Sequence, residues 1–292
     1  MSVLELLRSK NLVEYIQGVY GDDMEHYNDG TYRTTCKFHD NADNPSSFAV
    51  FPDSTCHCFS CGFHTDIIGY VMERESVLFD QAVRILCENY SIDLNTDETY
   101  KRQMSLADRN EQWCKTYERS RDKCVDYLTE KRGLTLETIE KYRIGYSEKS
   151  SAITIPMLDQ YGRIVSFGYR FFSGKVKYKN GNNNELFTKG EYLFNIDKAM
   201  RRLKKQKSLY VAEGFFDSIA ADQMGEACVS YCGITFSKAH VLLIRELTQR
   251  INGVKIILAP DNDNKADKFI ARGRELFQKY YPEASVKVVL ID

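Results

Sequence analysis

The sequence has no apolar run near 18 residues, the shortest length that indicates a membrane-spanning helix. Its first segment, MSVLELLRSKNLVEYIQ, lacks the basic start, apolar core and cleavage site of a signal peptide. Internal repeats and low-complexity tracts are also missing. We therefore expect a globular protein that stays in the cytoplasm and has no membrane partner.

Disulfides are not expected either, although the chain contains 9 cysteines. Four of them fall between Cys36 and Cys61, and such clustering in a reducing compartment argues for a metal site. The scattered cysteines are better interpreted as small buried apolar residues. At 292 residues, with 43% hydrophobic and 28% charged side chains, the composition is that of an ordinary globular protein of about two domains.

Net charge is close to zero, at −1, but its distribution along the chain is uneven. Residues 1–100 carry 6 Lys and Arg against 17 Asp and Glu, whereas residues 101–210 carry 24 against 13. The remaining residues, 211–292, carry 10 against 11. Any binding of a polyanion should therefore centre on the basic middle third.

The pattern of apolar and polar residues along the sequence divides the chain into a small domain at 1–92, a polar linker at 93–104 and a larger domain at 105–292. We expect the larger domain to change character at its midpoint, with a basic part at 105–207 and an α/β part at 208–292. The expected elements are a helix at roughly 2–18, hairpins within 30–62, helices near 65–74, 78–90 and 104–131, and short strands within 150–196.

Alternating strands and helices begin at Ser208. SLYVAEG, ACVSYCG, VKIILAPDND and VKVVLI read as strands, and segments of helical period separate them. Short apolar strands with helices of that length between them predict a parallel sheet covered on both faces. The expected fold class is therefore α/β and multidomain.

The first chemical motif pairs Cys36-Lys-Phe-His39 with Cys58-Phe-Ser-Cys61. Two residues separate the members of each pair, so each pair can hold one edge of a tetrahedral zinc ion. Four protein ligands leave no position for water, which predicts a structural zinc. A second register would use Cys56, but Gly62 directly follows Cys61 and can turn the chain away. Chance cysteines in a small core are the simpler alternative.

The second motif joins Glu213-Gly-Phe-Phe-Asp217 to Asp261-Asn-Asp263. Each follows a predicted strand, and in an open parallel sheet ligands gather beyond the carboxyl ends of the strands. Carboxylates converging there would repel one another unless they held a cation, and oxygen ligands suit Mg²⁺ or Mn²⁺. An isolated Asp-Asn-Asp is usually a turn; its placement after a strand favours the metal site.

Cations alternate with aromatic residues in the strand-rich basic part. Such a pattern suits a single-stranded nucleic acid, because cations follow phosphates and rings stack on bases. A solvated basic face over an ordinary β core is the alternative. The candidate residues for binding nucleic acid or nucleotide are Arg163, Arg170, Lys177 and Lys189.

The segment from Cys36 to Met72 resembles the CHC2 zinc ribbon of bacterial and phage primases: Cys-x-x-His, then NPSSF, then Cys-Phe-x-Cys-Gly before an apolar helix. It departs at Lys37, where that family often has proline. The pairing of Glu213 with Asp261 and Asp263 resembles the TOPRIM pattern, which topoisomerases and some nucleases share. The segments YLTEKRGLTLETIEKYRIGY, GRIVSFGYRFF, KYKN and LFTKGEYLFN resemble successive parts of DnaG-type primases.

The resemblance implies a DNA primase: a DNA-directed RNA polymerase that makes short RNA primers on single-stranded DNA from ribonucleoside triphosphates. Its ribbon, at 1–92, would select the template, and a basic subdomain at 105–207 would precede a TOPRIM subdomain at 208–292. Cofactors would be one structural Zn²⁺ and catalytic Mg²⁺ or Mn²⁺, with Glu213 a ligand or the base. The implied partner is a replicative helicase on a separate chain, in a bacterial cell or encoded by a phage.

The chain also departs from this family, whose members usually carry a further acidic cluster just after the position of Asp292. Either the sequence is cut there, or the protein manages with fewer carboxylates. A TOPRIM nuclease would use the same carboxylates with water as the nucleophile. A non-catalytic zinc adaptor that binds DNA would not need Glu213, Asp261 and Asp263, and the chain is short for a topoisomerase.

Overall fold

The computed structural model describes two compact units, Met1–Ser105 and Leu106–Asp292. None of the helices that it describes combines the length and the apolar character needed to cross a bilayer. The described residues are 1–39, 43–173, 176–233, 235–249, 251 and 253–291, without the side chains of 204 and 205.

The N-terminal segment is broken where a single helix over 2–18 was expected. Helix α1 (Val3–Arg8) is followed by α2 (Leu12–Tyr15), which continues as the π-helical turn Ile16–Tyr20. The break lies at Asn11, whose side chain accepts hydrogen bonds from the backbone N–H groups of Val13 and Glu14 and so starts a new helix.

The expected hairpins form a five-stranded antiparallel sheet in which the strands follow chain order. Two helices follow the sheet, and their buried apolar residues include Ile67, Ile68 and Leu86. The strands are β1 (Glu25–His26), β2 (Tyr32–Thr34), β3 (Phe48–Val50), β4 (Cys56–Cys58) and β5 (His64–Thr65), and the helices are α3 (Ile67–Glu75) and α4 (Phe79–Asn89).

The segment interpreted as a linker is more ordered than its composition indicated. A 3₁₀ turn covers Leu94–Thr96, and helix α5 (Glu98–Arg119) begins directly after it. The Asp97 carboxylate accepts the backbone N–H groups of Val3, at 2.7 Å, and Tyr100, at 2.9 Å. The segment expected to be a linker over 93–104 is therefore helical from Glu98 onward, because a charged carboxylate cap starts the helix there.

The second unit opens with short helices and the strands expected within 150–196. These strands form a four-stranded antiparallel sheet, again in chain order. The elements are α6 (Asp122–Asp126), the π-helical turn Tyr127–Lys131, α7 (Leu136–Lys141), β6 (Gly145–Ser147), β7 (Ala152–Leu158), β8 (Ile164–Phe171), β9 (Tyr178–Asn180) and α8 (Ile196–Gln206).

The predicted parallel sheet is confirmed. Its strand order is β11-β10-β12-β13, and all neighbouring strands are parallel. The protein thus has the expected mixed α/β fold, with a zinc-ribbon-like first unit. The elements are β10 (Ser208–Ala212), α9 (Phe215–Gln223), β11 (Cys228–Ser230), α10 (Lys238–Thr248), β12 (Lys255–Ala259), α11 (Ala266–Tyr280) and β13 (Ser285–Val288).

Helix α9 packs between the two sheets of this unit through Phe215 and Phe216, which share a core with β7 and β8. Gly168 in β8 makes room for the Phe215 ring, since a Cβ atom at this glycine would lie 2.4 Å from Cζ and 2.5 Å from Cε2 of Phe215. The close approach fixes the start of α9 against the antiparallel sheet.

Gly168→Ala should lower the free energy of unfolding by about 1–3 kcal/mol, because an added methyl group forces the ring of Phe215 or the strand to move. Urea unfolding followed by circular dichroism measures this change. Gly190→Ala is the matched control, since a Cβ at Gly190 meets nothing within 4 Å. A loss no larger for Gly168→Ala than for this control would contradict the packing argument.

Candidate functional site

Four predicted zinc ligands come together in the first unit. Cys36 follows β2, Cys58 ends β4, and Cys61 lies in the turn before β5. With His39, their ligand atoms all lie within 4.8 Å of one another. The hairpin between the two ligand pairs folds back through β3 and β4 and so brings the pairs to one point.

The distances within this cluster fit a zinc ion. Cys36 Sγ lies 3.9 Å from Cys61 Sγ, and Cys58 Sγ lies 3.6 Å from His39 Nε2. For bonds of about 2.3 Å to sulfur and about 2.0 Å to nitrogen, the corners of a tetrahedron are about 3.8 Å apart for two sulfurs and about 3.5 Å for sulfur and nitrogen.

Hydrogen-bond donors surround the sulfur atoms. The backbone N–H of Cys61 donates to Cys58 Sγ at 3.2 Å, and that of Phe38 donates to Cys36 Sγ at 3.4 Å. The pKa of Cys58 is lowered, chiefly by a hydrogen bond from Cys36 and also by the backbone N–H groups of Cys61 and Ser60. A thiolate is the form that binds metal.

Cys56, the alternative ligand, lies elsewhere. It is buried in β4, and its thiol lies 3.5 Å from the Thr65 carbonyl oxygen, as donor to acceptor. Side chains alternate between the two faces of a strand, so Cys56 and Cys58 share a face but lie one repeat apart along it. The described structure therefore supports the register that uses Cys58.

The predicted carboxylate ligands lie at the edge of the parallel sheet where its strands end. Glu213 directly follows β10, and Asp261 follows β12 after one proline. These two strands are neighbours, with Ala212 opposite Ala259. The Asp261 backbone lies near enough to the Glu213 carboxyl to oppose the rise in its pKa. Adjacent parallel strands thus place Glu213 and Asp261 at the same edge of the sheet.

Asp217 lies in the first turn of α9, and its Oδ2 accepts the Gly214 N–H at 2.8 Å. Asp263 accepts the N–H of Lys265 at 2.7 Å and donates its own N–H to the Asp261 carbonyl at 2.8 Å. Glu213 and Asp217 are half-buried, whereas Asp261 and Asp263 are exposed. The group therefore opens to solvent on the side of the Asp261 turn.

The carboxylates are close enough to affect one another. Burial raises the pKa of Glu213, and the negative charges of Asp261 and Asp263 raise it further, although a hydrogen bond from Tyr231 opposes the change. Burial also raises the pKa of Asp217, and the charge of Asp261 adds to this. Mutual repulsion of this kind is what a bound cation would relieve.

Oxygen-only ligands fit a divalent cation of the Mg²⁺ or Mn²⁺ type. Among the described residues, the zinc cluster with Cys36 is the group of Cys, His, Asp and Glu side chains whose ligand atoms all lie within 4.8 Å of one another. The four carboxylates are spaced more widely than the ligand atoms of this cluster. They can share an ion and its water ligands, which is the usual mode for Mg²⁺.

The four candidate cations of the basic part do not lie together. Arg163 precedes β8 and forms an ion pair with Asp159 at 2.8 Å in the β7–β8 turn. Arg170 lies seven positions further along the extended strand, about 20 Å away. Lys177 and Lys189 are exposed, and Lys177 precedes β9, the strand paired with β8. Arg163 therefore closes a turn, whereas Arg170 and Lys177 share the other end of the sheet.

Arg132 is a residue that the sequence interpretation missed. Its guanidinium donates to the hydroxyls of Tyr127, at 3.0 Å, and Tyr178, at 3.1 Å, and lies 4.9 Å from the centre of the Phe216 ring. Arg170 lies over the same Tyr178 ring at 5.0 Å. The pKa of Asp217 is raised chiefly by burial, and the positive charge of Arg132 opposes this rise, which indicates that the basic, aromatic surface lies near Asp217.

Arg132 could have been noticed in the sequence. It stands in the segment YLTEKRGLTLETIEKY, directly before Gly133, which has a left-handed backbone (φ 64°) and ends the helical turn. The spacing of aromatic residues alone gave no reason to connect Arg132 with β9 or α9.

Three protein-family models match successive parts of the chain. A CHC2 zinc finger model matches residues 3–102, the N-terminal domain of the DNA primase catalytic core matches residues 150–200, and a Toprim-like model matches residues 210–291. The matches contain, in turn, the cysteine–histidine cluster, the basic strands and the carboxylates.

Curated DNA primases align with most of the chain. That of Synechococcus elongatus is 29% identical over 293 residues, covering 81% of this chain and 42% of its own length. That of Thermotoga maritima is 28% identical over 278 residues, covering 80% of this chain and 48% of its own length. The chain therefore spans about half the length of the curated relatives that it matches.

Solved structures share the fold. The zinc-binding and RNA polymerase domains of Aquifex aeolicus primase align with a TM-score of 0.58 and 23% identity, over 100% of this chain and 79% of that chain. A DnaG primase catalytic domain bound to single-stranded DNA aligns with a TM-score of 0.56 and 19% identity, over 66% of this chain and 75% of that chain.

Proposed function

Because successive parts of the chain match a CHC2 zinc finger, the DNA primase catalytic core and a Toprim-like domain, we propose that it is a DnaG-type primase, a DNA-directed RNA polymerase that makes short RNA primers on single-stranded DNA. In this reaction the 3′-hydroxyl of one ribonucleotide attacks the α-phosphorus of an incoming triphosphate. A phosphodiester bond forms and pyrophosphate leaves. The observation that carries the proposal is the meeting of Glu213 with the Asp261 turn beside a surface of arginines and aromatic rings.

Glu213, Asp261 and Asp263 would hold Mg²⁺ or Mn²⁺, with Asp217 orienting a water ligand or completing the set. When bound, such cations neutralise charge on the triphosphate and activate the attacking hydroxyl. The raised pKa of half-buried Glu213 also suits a group that accepts the proton of that hydroxyl.

Template and triphosphate would lie along the basic surface. Arg170 lies 5.0 Å from the centre of the exposed Tyr178 ring, and Arg132 donates a hydrogen bond to the Tyr178 hydroxyl. Lys177 directly precedes Tyr178 in the chain and is exposed. Guanidinium and ammonium groups pair with phosphates, while an exposed ring offers a stacking face to a base. Lys189, also exposed, would contribute charge to the same binding function.

The cysteine–histidine cluster would bind one structural zinc ion, and the unit that it stabilises would select the template sequence. Four protein ligands fill a tetrahedral ion, so no catalytic water is expected at this position. We propose that strand separation comes from a replicative helicase on another chain.

Primer synthesis tests the proposed function. Zinc-loaded protein is incubated with single-stranded DNA, Mg²⁺ and labelled ribonucleoside triphosphates, on templates that vary in short sequence context. RNA products of a few nucleotides that depend on the template are expected. Cleavage of the template without RNA would indicate a TOPRIM nuclease, and DNA binding without either product would indicate an adaptor.

Lys177→Ala should weaken binding of single-stranded DNA and reduce the slope of log affinity against log salt by about 0.7, the contribution of one phosphate contact. Fluorescence anisotropy of a labelled oligonucleotide at several salt concentrations measures this slope. Arg163→Ala is the comparison, since the Asp159 carboxylate already neutralises Arg163. Equal slopes for Lys177→Ala and the unmodified protein would contradict the placement of the DNA.

A further inference from the structure

Tyr231 is a buried aromatic residue that reaches the carboxylate group. It follows β11, is 4% exposed, and donates its hydroxyl to Oε2 of Glu213 at 3.1 Å. Its ring stacks on Phe269 with 5.4 Å between centroids and 17° between planes. Phe269 belongs to α11, the helix that follows the Asp263 turn. The Tyr231 side chain therefore contacts both the Glu213 carboxylate and α11, the helix that follows Asp261 and Asp263.

The backbone around Tyr231 is held in place. The Tyr231 N–H donates to the Ala212 carbonyl at 3.4 Å, and the Cys232 N–H donates to the Glu213 carbonyl at 3.0 Å. Cys232 adopts a left-handed backbone conformation, with φ 45°. For a residue with a side chain this costs of order 1–3 kcal/mol and persists where the surroundings determine it. The Asn180 amide, which donates to the Cys232 carbonyl, is one such constraint.

We propose that Tyr231 is a positioning residue whose hydroxyl holds the Glu213 carboxylate in the orientation that faces the Asp261 turn. The phenol engages Oε2 of this carboxylate, which limits rotation of the Glu213 side chain. Groups that orient a metal ligand in this way contribute strongly to metal affinity. The inference rests on the proposed cation-binding role of Glu213.

Tyr281 provides a matched control for a purely structural role. It lies in the same core as Tyr231, is 7% exposed, and its hydroxyl lies 3.2 Å from Oγ1 of Thr248. Tyr281→Phe thus removes a buried hydroxyl and its hydrogen bond without altering a neighbour of Glu213. Both tyrosine-to-phenylalanine variants keep the ring packing.

Binding of Mn²⁺ to the zinc-loaded protein, followed by the electron paramagnetic resonance signal of free Mn²⁺, tests the proposal. Tyr231→Phe should weaken Mn²⁺ binding about 10-fold or more, as loss of a group that orients a ligand does. Tyr281→Phe should change the affinity less than about twofold. Equal affinity of the unmodified protein and Tyr231→Phe would overturn the proposal.

A double-mutant cycle with Glu213→Gln shows whether Tyr231 acts through Glu213. Tyr231→Phe should add no further loss of Mn²⁺ affinity in the Glu213→Gln background, since the oriented carboxylate is already absent. The same loss in both backgrounds would mean that the ring affects the site by another route, and this too would overturn the proposal.

If Tyr231→Phe fails to fold, the unmodified protein labelled with ¹³C at tyrosine Cζ decides the question. Adding Mg²⁺ should shift the resonance of Tyr231 and leave that of Tyr281 in place, whereas an unmoved Tyr231 resonance would overturn the proposal. These measurements do not depend on RNA synthesis. If the protein makes no primers but Tyr231→Phe still weakens Mn²⁺ binding, the proposed polymerase function is rejected. The proposed positioning role of Tyr231 is then retained.

Discussion

Asp261→Ala and Asp263→Ala should each reduce primer synthesis about 1000-fold or more, a loss equal to about 4 kcal/mol of transition-state stabilisation. Each change removes a carboxylate from the turn that meets Glu213 beyond adjacent parallel strands. The remaining acids would then hold a divalent cation too weakly, or in the wrong place, for phosphoryl transfer. Labelled RNA products resolved on a denaturing gel at saturating Mg²⁺ measure the change.

The control for this experiment is Asp267→Ala. Asp267 is an exposed acid in the first turn of α11, only a few residues beyond Asp263. Its removal should leave primer synthesis within a factor of about two of the unmodified protein. All three variants should keep their zinc and their circular dichroism spectrum. Activity retained in both Asp261→Ala and Asp263→Ala would refute the carboxylate site.

Cys58→Ser should lose zinc and unfold much of residues 1–105 while residues 106–292 stay folded. Structural zinc contributes about 10–16 kcal/mol of apparent binding free energy at neutral pH, which is comparable to or larger than the whole stability of most small domains. Zinc content from a chromogenic chelator, together with limited proteolysis and mass spectrometry, reports both effects. Cleavage should concentrate in the first unit.

Cys56→Ser separates the two ligand registers. The Cys56 thiol faces the Thr65 carbonyl, outside the cluster, so this variant should keep one zinc ion per chain and resist the protease. Zinc lost from Cys56→Ser and kept by Cys58→Ser would favour the alternative register. The pair of variants differs by two positions on one strand, which makes the comparison close.

The local sequence pattern was sufficient to predict the parallel sheet and the grouping of the four cysteine and histidine ligands. The spacing of Cys36, His39, Cys58 and Cys61 defines two hairpin-linked pairs, and the structure brings their ligand atoms to one point. The alternation of apolar strands and helices after Ser208 likewise determined a parallel sheet. In both cases the information lies within short segments, where periodicity and spacing are reliable.

Helix boundaries were less accurate because capping residues outweighed periodicity. Asn11 and Asp97 each offer a side-chain oxygen to the backbone N–H groups of a following helix. Asn11 divides the segment expected to be one helix, and Asp97 starts a helix inside the segment expected to be a linker. Both signals are visible in the sequence, since each residue precedes a run of helical period.

Contacts between distant segments could not be read from the sequence. Arg163 and Arg170 stand near each other along the chain, yet they lie at opposite ends of one extended strand. Arg132 and Tyr231 reach the carboxylate group from segments outside both acidic motifs. Their roles depend on how the two sheets pack around α9, which no periodicity encodes.

The pairing of the acidic turn with residue 291 has a practical consequence. Asp261 forms a parallel bridge with Ile291, and the N–H of Asn262 donates to the Ile291 carbonyl at 2.8 Å. Any polypeptide joined after this point, including a purification tag, leaves the fold beside the carboxylates. A histidine tag joined at this point would bring competing metal ligands to the carboxylate site.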